Sequence, residues 1–130
     1  MSGLILDTHV WVWTLFDARR VSSRASQAID QAEAIFLSAV SPYEIAQKVR
    51  LEKWPELAPF VPQLPELMDK QGVRPAVVTP EIALIAGSLD WPHRDPFDRM
   101  IAATALRLGL PLVTADSVFA TLPAGPDLLW

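Results

Sequence analysis

Cysteine is absent from the 130-residue chain, and histidine occurs only twice, as His9 and His93. Disulfide bonds and thiolate metal sites are therefore excluded, and so is a zinc site built from several histidines. Any metal ion must be bound mainly by oxygen. Because carboxylates suit hard cations, the ions to expect are Mg²⁺ or Mn²⁺.

Long apolar runs are also missing. No segment approaches the roughly 18 consecutive apolar residues that a membrane-spanning helix needs. The apolar start of the chain is interrupted by Asp7 and His9, so it does not resemble a signal peptide. The sequence therefore predicts a protein without membrane association, and we expect it in the cytoplasm.

Basic residues are fewer than acidic ones. The chain has 15 Asp and Glu against 11 Lys and Arg, a formal net charge of −4, which at face value disfavours nucleic-acid binding. If about a third of the acids bind a metal ion, however, the remaining surface is nearly neutral, so net charge does not decide the matter. The hydrophobic share of 51% is high for so small a monomer and predicts apolar surface that meets a partner.

Apolar periodicity predicts strands and helices in alternation. Strands are expected at 3–7, 35–38, 73–79 and 110–114, with an edge strand at 127–130. Helices are expected at 10–16, 23–34, 41–53, 80–89 and 96–108, and the prolines of 55–65 indicate a loop with short helical turns. This alternation predicts an α/β fold in which helices cover both faces of a central, mostly parallel sheet. The length fits a single domain over residues 1–130.

Four acidic residues fall where strands end or helices begin. Asp7 ends the first strand, Glu44 and Asp98 lie in first helical turns, and Asp116 follows the fourth strand. These positions share one edge of an open α/β sheet, so the four carboxylates should converge. They would repel one another unless a divalent cation lay between them. Such an ion polarises a phosphate and activates a water, which is the chemistry of phosphodiester hydrolysis.

Each acid also has an ordinary structural explanation. Glu44 fits a capping box that begins at Ser41, and Asp98 fits one that begins at Asp95. Asp95 and Asp116 are plausible N-caps. Asp7 is harder to explain, because an acid that closes a buried strand usually has a partner or a ligand. The joint pattern favours a site over capping alone.

Four segments resemble the PIN-domain family, and in particular its VapC-like toxins: LILDTH (4–9), SPYE (41–44), HRDPFDRMIAATA (93–105) and LVTAD (112–116). The resemblance implies a three-layer α/β/α sandwich, Mg²⁺-dependent cleavage of RNA and neutralisation by a small antitoxin. It assigns the catalytic positions to Asp7, Glu44, Asp98 and Asp116. We expect Asp7, Asp98 and Asp116 to bind the metal ion, with Asp7 and Asp98 as its firmest ligands.

Further residues near these acids are candidates for supporting roles. Thr114 matches a hydroxyl residue that often precedes the last acid by two, and Asp95 belongs to the same motif. We expect Arg94 and Arg99 either to contact the scissile phosphate or to pair with Asp95 and Asp98. Local hydrogen bonds are the expected role of His9 and His93. Core or interface packing is expected of the tryptophans in preference to stacking on bases.

The apolar excess and the resemblance both point to a homodimer. They also suggest a groove for an amphipathic antitoxin helix, formed by two apolar segments. The groove residues would be Trp11, Leu51 and Trp54, with Val10, Phe16, Ile45 and Val49. A partner lying there would place a basic side chain among the carboxylates and block the phosphate position.

Three other functions compete with this hypothesis. A phosphoaccepting receiver domain needs a lysine after a late strand, and Lys48, Lys53 and Lys70 all come too early. A PIN-like RNA-binding module without catalysis usually lacks one of the acids, whereas all four are present here. A different metal-dependent phosphohydrolase, acting on DNA or on a nucleotide, stays open.

Overall fold

A computed structural model describes residues 2–130 of the chain. The strands are β1 (Gly3–Leu6), β2 (Ala34–Ser38), β3 (Val73–Ala76), β4 (Leu112–Val113) and β5 (Leu128–Leu129). The helices are α1 (Thr8–Phe16), α2 (Ser23–Gln31), α3 (Val40–Arg50), α4 (Leu64–Gln71), α5 (Pro80–Ser88) and α6 (Pro96–Leu108). Three 3₁₀ segments cover Ala18–Arg20, Pro55–Gln63 and Ser117–Thr121. Within residues 2–130, no helix has the length and apolar character needed to cross a membrane. The single domain over 1–130 stays a prediction.

The five strands form one sheet in the order β3-β2-β1-β4-β5, and every neighbouring pair is parallel. Leu6, the last residue of the central strand β1, lies opposite Leu37 of β2 and Val113 of β4. The carboxyl ends of these strands are therefore level. The predicted parallel sheet is confirmed, and its carboxyl edge is where β1 and β4 lead into candidate site residues.

Helices cover both faces of the sheet because side chains of β1 alternate between two cores. Leu4 and Leu6 pack in one core, which also contains residues of α1, α3 and α4. Ile5 packs in the other core against Ile101 and Ala102 of α6. Helix α5 then packs on α6 in a third, smaller cluster. The three-layer α/β/α sandwich is thus confirmed.

The start of α3 differs from the sequence prediction. The helix begins at Val40 with Ala39 at the N-cap position, and the N–H of Val40 donates to Ser38 Oγ at 3.2 Å. The buried Ser41 hydroxyl instead forms a 2.8 Å hydrogen bond with the Thr8 hydroxyl. The capping prediction for Ser41 was wrong, and Glu44 lies in the second turn. The Thr8–Ser41 bond ties the start of α1, just after Asp7, to the start of α3.

The proline-rich segment is more helical than its composition indicates. Short helical turns were expected over 55–65, and Pro55–Gln63 is indeed a 3₁₀ segment. Helix α4, however, was not predicted. Pro65 lies in its first turn, where the missing N–H has no intrahelical partner to lose. Gly72 ends the helix with a φ of 69°, in the left-handed region that suits glycine.

The remaining boundaries follow the predictions with small shifts. Helix α1 begins two residues early, and β3 ends at Ala76. Thr79 caps α5 as expected, because its hydroxyl accepts from the N–H of Ile82 at 3.1 Å. Helix α6 has the predicted bounds and ends at Gly109, which has a φ of 65°.

Candidate active site

Asp7 is held at the carboxyl end of β1 and is only 5% exposed. Its N–H donates to the carbonyl of Val113 at 3.0 Å, while its side chain makes no capping bond to α1. The Thr114 hydroxyl donates to Asp7 Oδ2 at 2.9 Å. Burial raises the pKa of Asp7 to about 7 despite this hydrogen bond, and repulsion from Asp98 and Glu44 adds to the rise. The carboxyl group therefore caps no helix and is costly to ionise.

Glu44 projects from α3 and is 3% exposed. Lys48, one helical turn later, places its Nζ 3.0 Å from Glu44 Oε2. Within residues 2–130, Glu44 Oε1 has no hydrogen-bond partner although it is buried. A buried oxygen without a partner is rare in folded proteins, and it marks a position where a cation or a donor would be stabilised.

Asp98 lies on the buried side of α6. Ala102 and Ala105, one and two turns further along the same face, are fully packed, which lets the helix approach the sheet closely. A hydrogen bond of 2.6 Å joins His93 Nε2 to Asp98 Oδ2, so the local role expected for His93 is confirmed. Burial raises the pKa of Asp98 to about 6 against the effect of His93, and repulsion from Asp95 and Glu44 contributes.

Asp95 and Asp116 both cap helical segments. Asp95 Oδ1 accepts from the N–H groups of Phe97 and Asp98 at 2.8 and 3.1 Å. Asp116 Oδ1 accepts from the N–H of Val118 at 2.9 Å and caps the 3₁₀ segment that follows. Each cap uses one carboxylate oxygen and leaves the other available.

Thr114 connects the end of β4 to the acids on either side of it. Its hydroxyl donates to Asp7 and accepts from the N–H of Asp116 at 3.0 Å. Asp7 and Asp116 also line a cavity of about 200 Å³ together with His9, Trp13 and Ala115. The threonine is thus placed to orient two of the candidate acids.

Repulsion links Asp7, Glu44 and Asp98, since Asp98 and Glu44 raise the pKa of Asp7 and Glu44 also raises that of Asp98. Asp7 and Glu44 are buried and Asp98 is half-buried; within residues 2–130, Lys48 is the only lysine paired with them, and Glu44 Oε1 has no partner. Oxygen donors with uncompensated charge are what a hard divalent cation requires. The residues present therefore fit a divalent metal ion.

A second cluster of possible metal ligands shares Asp98 with the first. Within residues 2–130, one group of three possible ligands has atoms within 4.8 Å of one another, and it consists of His93, Asp95 and Asp98. The four acids predicted from the sequence are not gathered that tightly. Repulsion between carboxylates opposes closer approach when no cation lies between them.

The two arginines do not pair with the acids. Arg99 donates from Nε, Nη1 and Nη2 to four backbone carbonyls, those of Ala86, Leu89, Trp91 and His93. The expected pairing of Arg99 with Asp95 and Asp98 is therefore wrong, while its contact with the scissile phosphate stays a prediction. The arginine instead fixes the loop that carries His93. Arg94 is exposed and lines a cavity of about 300 Å³ beside Gly87 and Met100, and its contact with substrate stays a prediction.

The hypothetical antitoxin groove is only partly at the surface. Trp11 is 0% exposed and donates from Nε1 to Gln71 at 2.6 Å, so it cannot line a groove. Val10 and Ile45 are also fully buried. Leu51 is 49% exposed, and Trp54 is half-buried with its ring 4.8 Å from that of His9.

Sequence reasoning missed Lys48 as a member of the site. Its spacing of four residues from Glu44 on a predicted helix was the available signal. It also missed the Thr8–Ser41 hydrogen bond, because nothing in the spacing of these residues shows that the two helix starts meet.

The fold and the site together define a metal-dependent class of α/β proteins with a carboxylate centre. Comparison of the sequence with known families gives the same result. The PIN domain family matches residues 4–124, so the chain belongs to that family. A curated relative, Ribonuclease VapC22 of Mycobacterium tuberculosis, is 36% identical over 118 residues, which are 89% of this chain and 88% of the relative.

Solved structures confirm the fold. VapBC of Salmonella typhimurium bound to DNA has a TM-score of 0.70 at 19% identity, covering 98% of this chain and 97% of that chain. VapBC2 of Rickettsia felis bound to a promoter DNA fragment has a TM-score of 0.69 at 16% identity, covering 97% and 96%. A toxin–antitoxin complex of Klebsiella pneumoniae has a TM-score of 0.65 at 18% identity, covering 92% of each chain.

Proposed function

We propose that this chain is a Mg²⁺-dependent endoribonuclease that acts as the toxin of a toxin–antitoxin pair. The observation that carries the proposal is the repulsion of Asp7 by Asp98 and Glu44, together with Glu44 Oε1, a buried oxygen without a partner within residues 2–130. Membership of the PIN domain family and similarity to a named ribonuclease support RNA as the substrate. Such a toxin would act in the cytoplasm, where its substrate is.

Asp7, Asp98 and Asp116 would hold the ion, with Glu44 beside them. Bound there, Mg²⁺ would polarise the scissile phosphate and lower the pKa of an attacking water. The chain itself orients the ligands. Thr114 fixes one oxygen of Asp7, and His93 fixes one oxygen of Asp98. Asp95 contributes by anchoring the first turn of α6.

Incubation of the purified chain with separate RNA, DNA and nucleotide substrates tests this function. Each substrate is offered with Mg²⁺, with Mn²⁺ and with EDTA, and the Asp7→Asn variant is the control for contaminating nucleases. We expect RNA cleavage with Mg²⁺, none in EDTA and none by the variant. Cleavage of DNA or of nucleotides alone would instead identify another phosphohydrolase. RNA binding without cleavage would indicate a non-catalytic module.

A cognate antitoxin is the partner that we propose for the exposed apolar side chains around α1 and α3. Structural neighbours of this chain are toxin–antitoxin complexes, and Phe16 and Leu51 are large, exposed and apolar. Leu51→Ser should weaken binding of the small protein encoded beside the toxin while RNA cleavage is retained. Unchanged binding would exclude this surface at Leu51.

A homodimer is the further assembly that we propose. Besides the side chains near α1 and α3, the exposed large apolar residues include Tyr43, Val77, Leu84, Leu108 and Leu128. Light scattering at micromolar concentration should give about twice the chain mass of 14.4 kDa. A monomer throughout that range would contradict the dimer.

A further inference from the structure

A second concave region adjoins the acids. It has a volume of about 490 Å³, and its aromatic side is formed by His9, Trp13 and Trp54. His9 and Trp13 also line the smaller cavity that contains Asp7 and Asp116, so the two spaces adjoin. We call the larger space the aromatic groove.

Rings in the aromatic groove are arranged around His9. The centroids of His9 and Trp54 are 4.8 Å apart with an interplanar angle of 31°, and those of His9 and Trp13 are 6.1 Å apart. His9 is exposed, whereas both tryptophans are half-buried. The imidazole is thus the most accessible of the three rings, and the two indoles pack against it.

The charge of the aromatic groove is opposite to that of the whole chain. Arg20, Lys48 and Lys53 line it, and of the described residues that line it only Glu56 is acidic. Within residues 2–130, neither Arg20 nor Lys53 has a carboxylate within ion-pair distance. A chain with net charge −4 therefore presents cations without carboxylate partners directly beside its acidic centre.

The backbone after α3 turns sharply to complete this region. Glu52 has a φ of 60°, which is unfavourable for a residue with a side chain. The N–H groups of Lys53 and Trp54 both donate to the carbonyl of Lys48, at 2.8 and 3.2 Å. The turn brings Trp54 back over α3, with its ring centroid 5.4 Å from Lys48 Nζ. Arg20 similarly lies 5.0 Å from the ring centroid of Trp13.

We propose that the aromatic groove binds the unpaired RNA strand that leads to the scissile phosphate. Arg20 and Lys53 contact its phosphates, and the exposed ring of His9 stacks with a base. Cations interleaved with aromatic rings are the usual means of binding single strands, whose bases are free to stack. Bases of duplex RNA are not free in this way, so the groove selects single-stranded segments. The inference rests on the proposed ribonuclease function.

The experiment measures RNA binding, because binding can be measured separately from cleavage. The probe is a fluorescein-labelled 12-nucleotide RNA, free or annealed to its complement, and all proteins carry Asp98→Asn to prevent cleavage. Arg20→Glu is compared with Arg19→Glu, a control on the same turn whose side chain is 96% exposed and outside the groove. Lys53→Glu is compared with Lys70→Glu, whose lysine lies on α4 next to Glu66.

We expect each groove variant to raise the Kd for the single strand about tenfold and to reduce the salt slope by about 0.7 per lost phosphate contact. The controls should stay within about twofold. His9→Ala should weaken binding about fivefold or more, and His9→Phe should restore it, because phenylalanine keeps a stacking face. The duplex should bind more weakly than the single strand.

Equal effects of the groove variants and their controls would overturn the proposal, and so would equal affinity for duplex and single strand. Variants that keep RNA binding but lose antitoxin binding would assign the groove to the antitoxin instead. If the unmutated chain cuts RNA while the groove variants bind it normally, only the groove proposal fails. If the unmutated chain cuts no RNA with Mg²⁺ or Mn²⁺, the proposed function itself fails.

Discussion

The inner acids, Asp7 and Glu44, differ from the outer acids, Asp95 and Asp116, in what they contribute to folding. Each outer acid caps a helical segment through one oxygen. Each inner acid is buried, and neither caps a helix. Burial of a carboxyl group opposes folding to the extent that hydrogen bonds or ion pairs do not compensate for its lost hydration. The roles of the acids are therefore distinguished by their hydrogen bonds and not by their position near a helix start.

Asp98 belongs with the inner acids although it lies in a first helical turn. Its backbone N–H is held by Asp95, while its carboxylate contacts His93 and is repelled by Glu44. The outer acid at this helix start therefore makes the cap, and the inner acid faces the site.

The largest expected effect is on catalysis by the inner acids. Asp7→Asn and Asp98→Asn should each lower the rate of RNA cleavage by about a hundredfold or more, the scale of removing one group that stabilises developing charge. An amide is a poorer Mg²⁺ ligand and has no charge. Single-turnover cleavage at saturating RNA measures the change. Cleavage at a normal rate by pure Asp7→Asn protein would remove Asp7 from the site.

The next effect is on the pH dependence of stability without metal. Because the pKa of Asp7 is raised from 3.8 to about 7 in the folded state, its protonated form favours folding. This contribution is complete below pH 3.8 and is lost as the pH rises through about 7. Asn imitates the protonated side chain, so metal-free Asp7→Asn should gain in melting temperature relative to the unmutated chain as the pH rises from about 5 to about 8.

Comparison of the two chains cancels the contribution of groups that do not interact with Asp7. The charged neighbours of Asp7 are Asp98 and Glu44, and Glu44 is paired with Lys48. His93 contacts Asp98 and is present in both proteins. A difference in melting temperature that does not change with pH would contradict the raised pKa of Asp7.

Substitution of Arg99 should lower the stability of the fold and leave RNA binding unchanged. Arg99→Ala removes hydrogen bonds to four carbonyls and should lower the free energy of unfolding by about 2 kcal/mol or more. Denaturant unfolding measures this loss. The salt dependence of RNA binding, measured on the folded fraction, should be unchanged. A reduced salt slope would show that Arg99 contacts phosphate after all.

The smallest expected effect separates the outer acids from the inner ones. Asp95→Ala should lower the free energy of unfolding by about 1 kcal/mol through loss of the cap, and Asp95→Asn should lower it much less, because Asn also caps well. Urea unfolding of both variants provides the matched comparison. Equal destabilisation by Ala and Asn would mean that the charge of Asp95, and not its cap, stabilises the helix.

Local patterns predicted much of the fold, because periodicity and capping act over a few residues. The Thr79 cap and the Gly109 ending of α6 are of this kind. The cap predicted at Ser41 was wrong because the helix begins one residue earlier, at Val40, and the Ser41 hydroxyl bonds to Thr8 instead. Helix α4 was not predicted because Pro65 was interpreted as a loop signal, although proline suits a first helical turn.

The candidate site was less predictable from sequence than the fold. Strand ends indicated where the acids converge, but Arg99 follows Asp98 directly, and neighbouring helix residues do not face each other. Sequence adjacency therefore suggested a pairing of Arg99 with Asp98, whereas the arginine bonds to backbone carbonyls. The aromatic groove depends on the turn at Glu52, which has no local sequence signal because the residue is not glycine.

The central claim is that Asp7, Glu44 and Asp98 bind a cation, and that repulsion between their carboxylates opposes folding until the ion is bound. Melting temperatures of the unmutated chain and Asp7→Asn at about pH 8, in EDTA and in excess Mg²⁺, test it most directly. In EDTA the variant should melt at the same or a higher temperature than the unmutated chain. Mg²⁺ should raise the melting temperature of the unmutated chain more than that of the variant, because the ion binds only the folded site. A melting temperature of the unmutated chain that does not respond to Mg²⁺, together with a less stable variant in EDTA, would contradict the account.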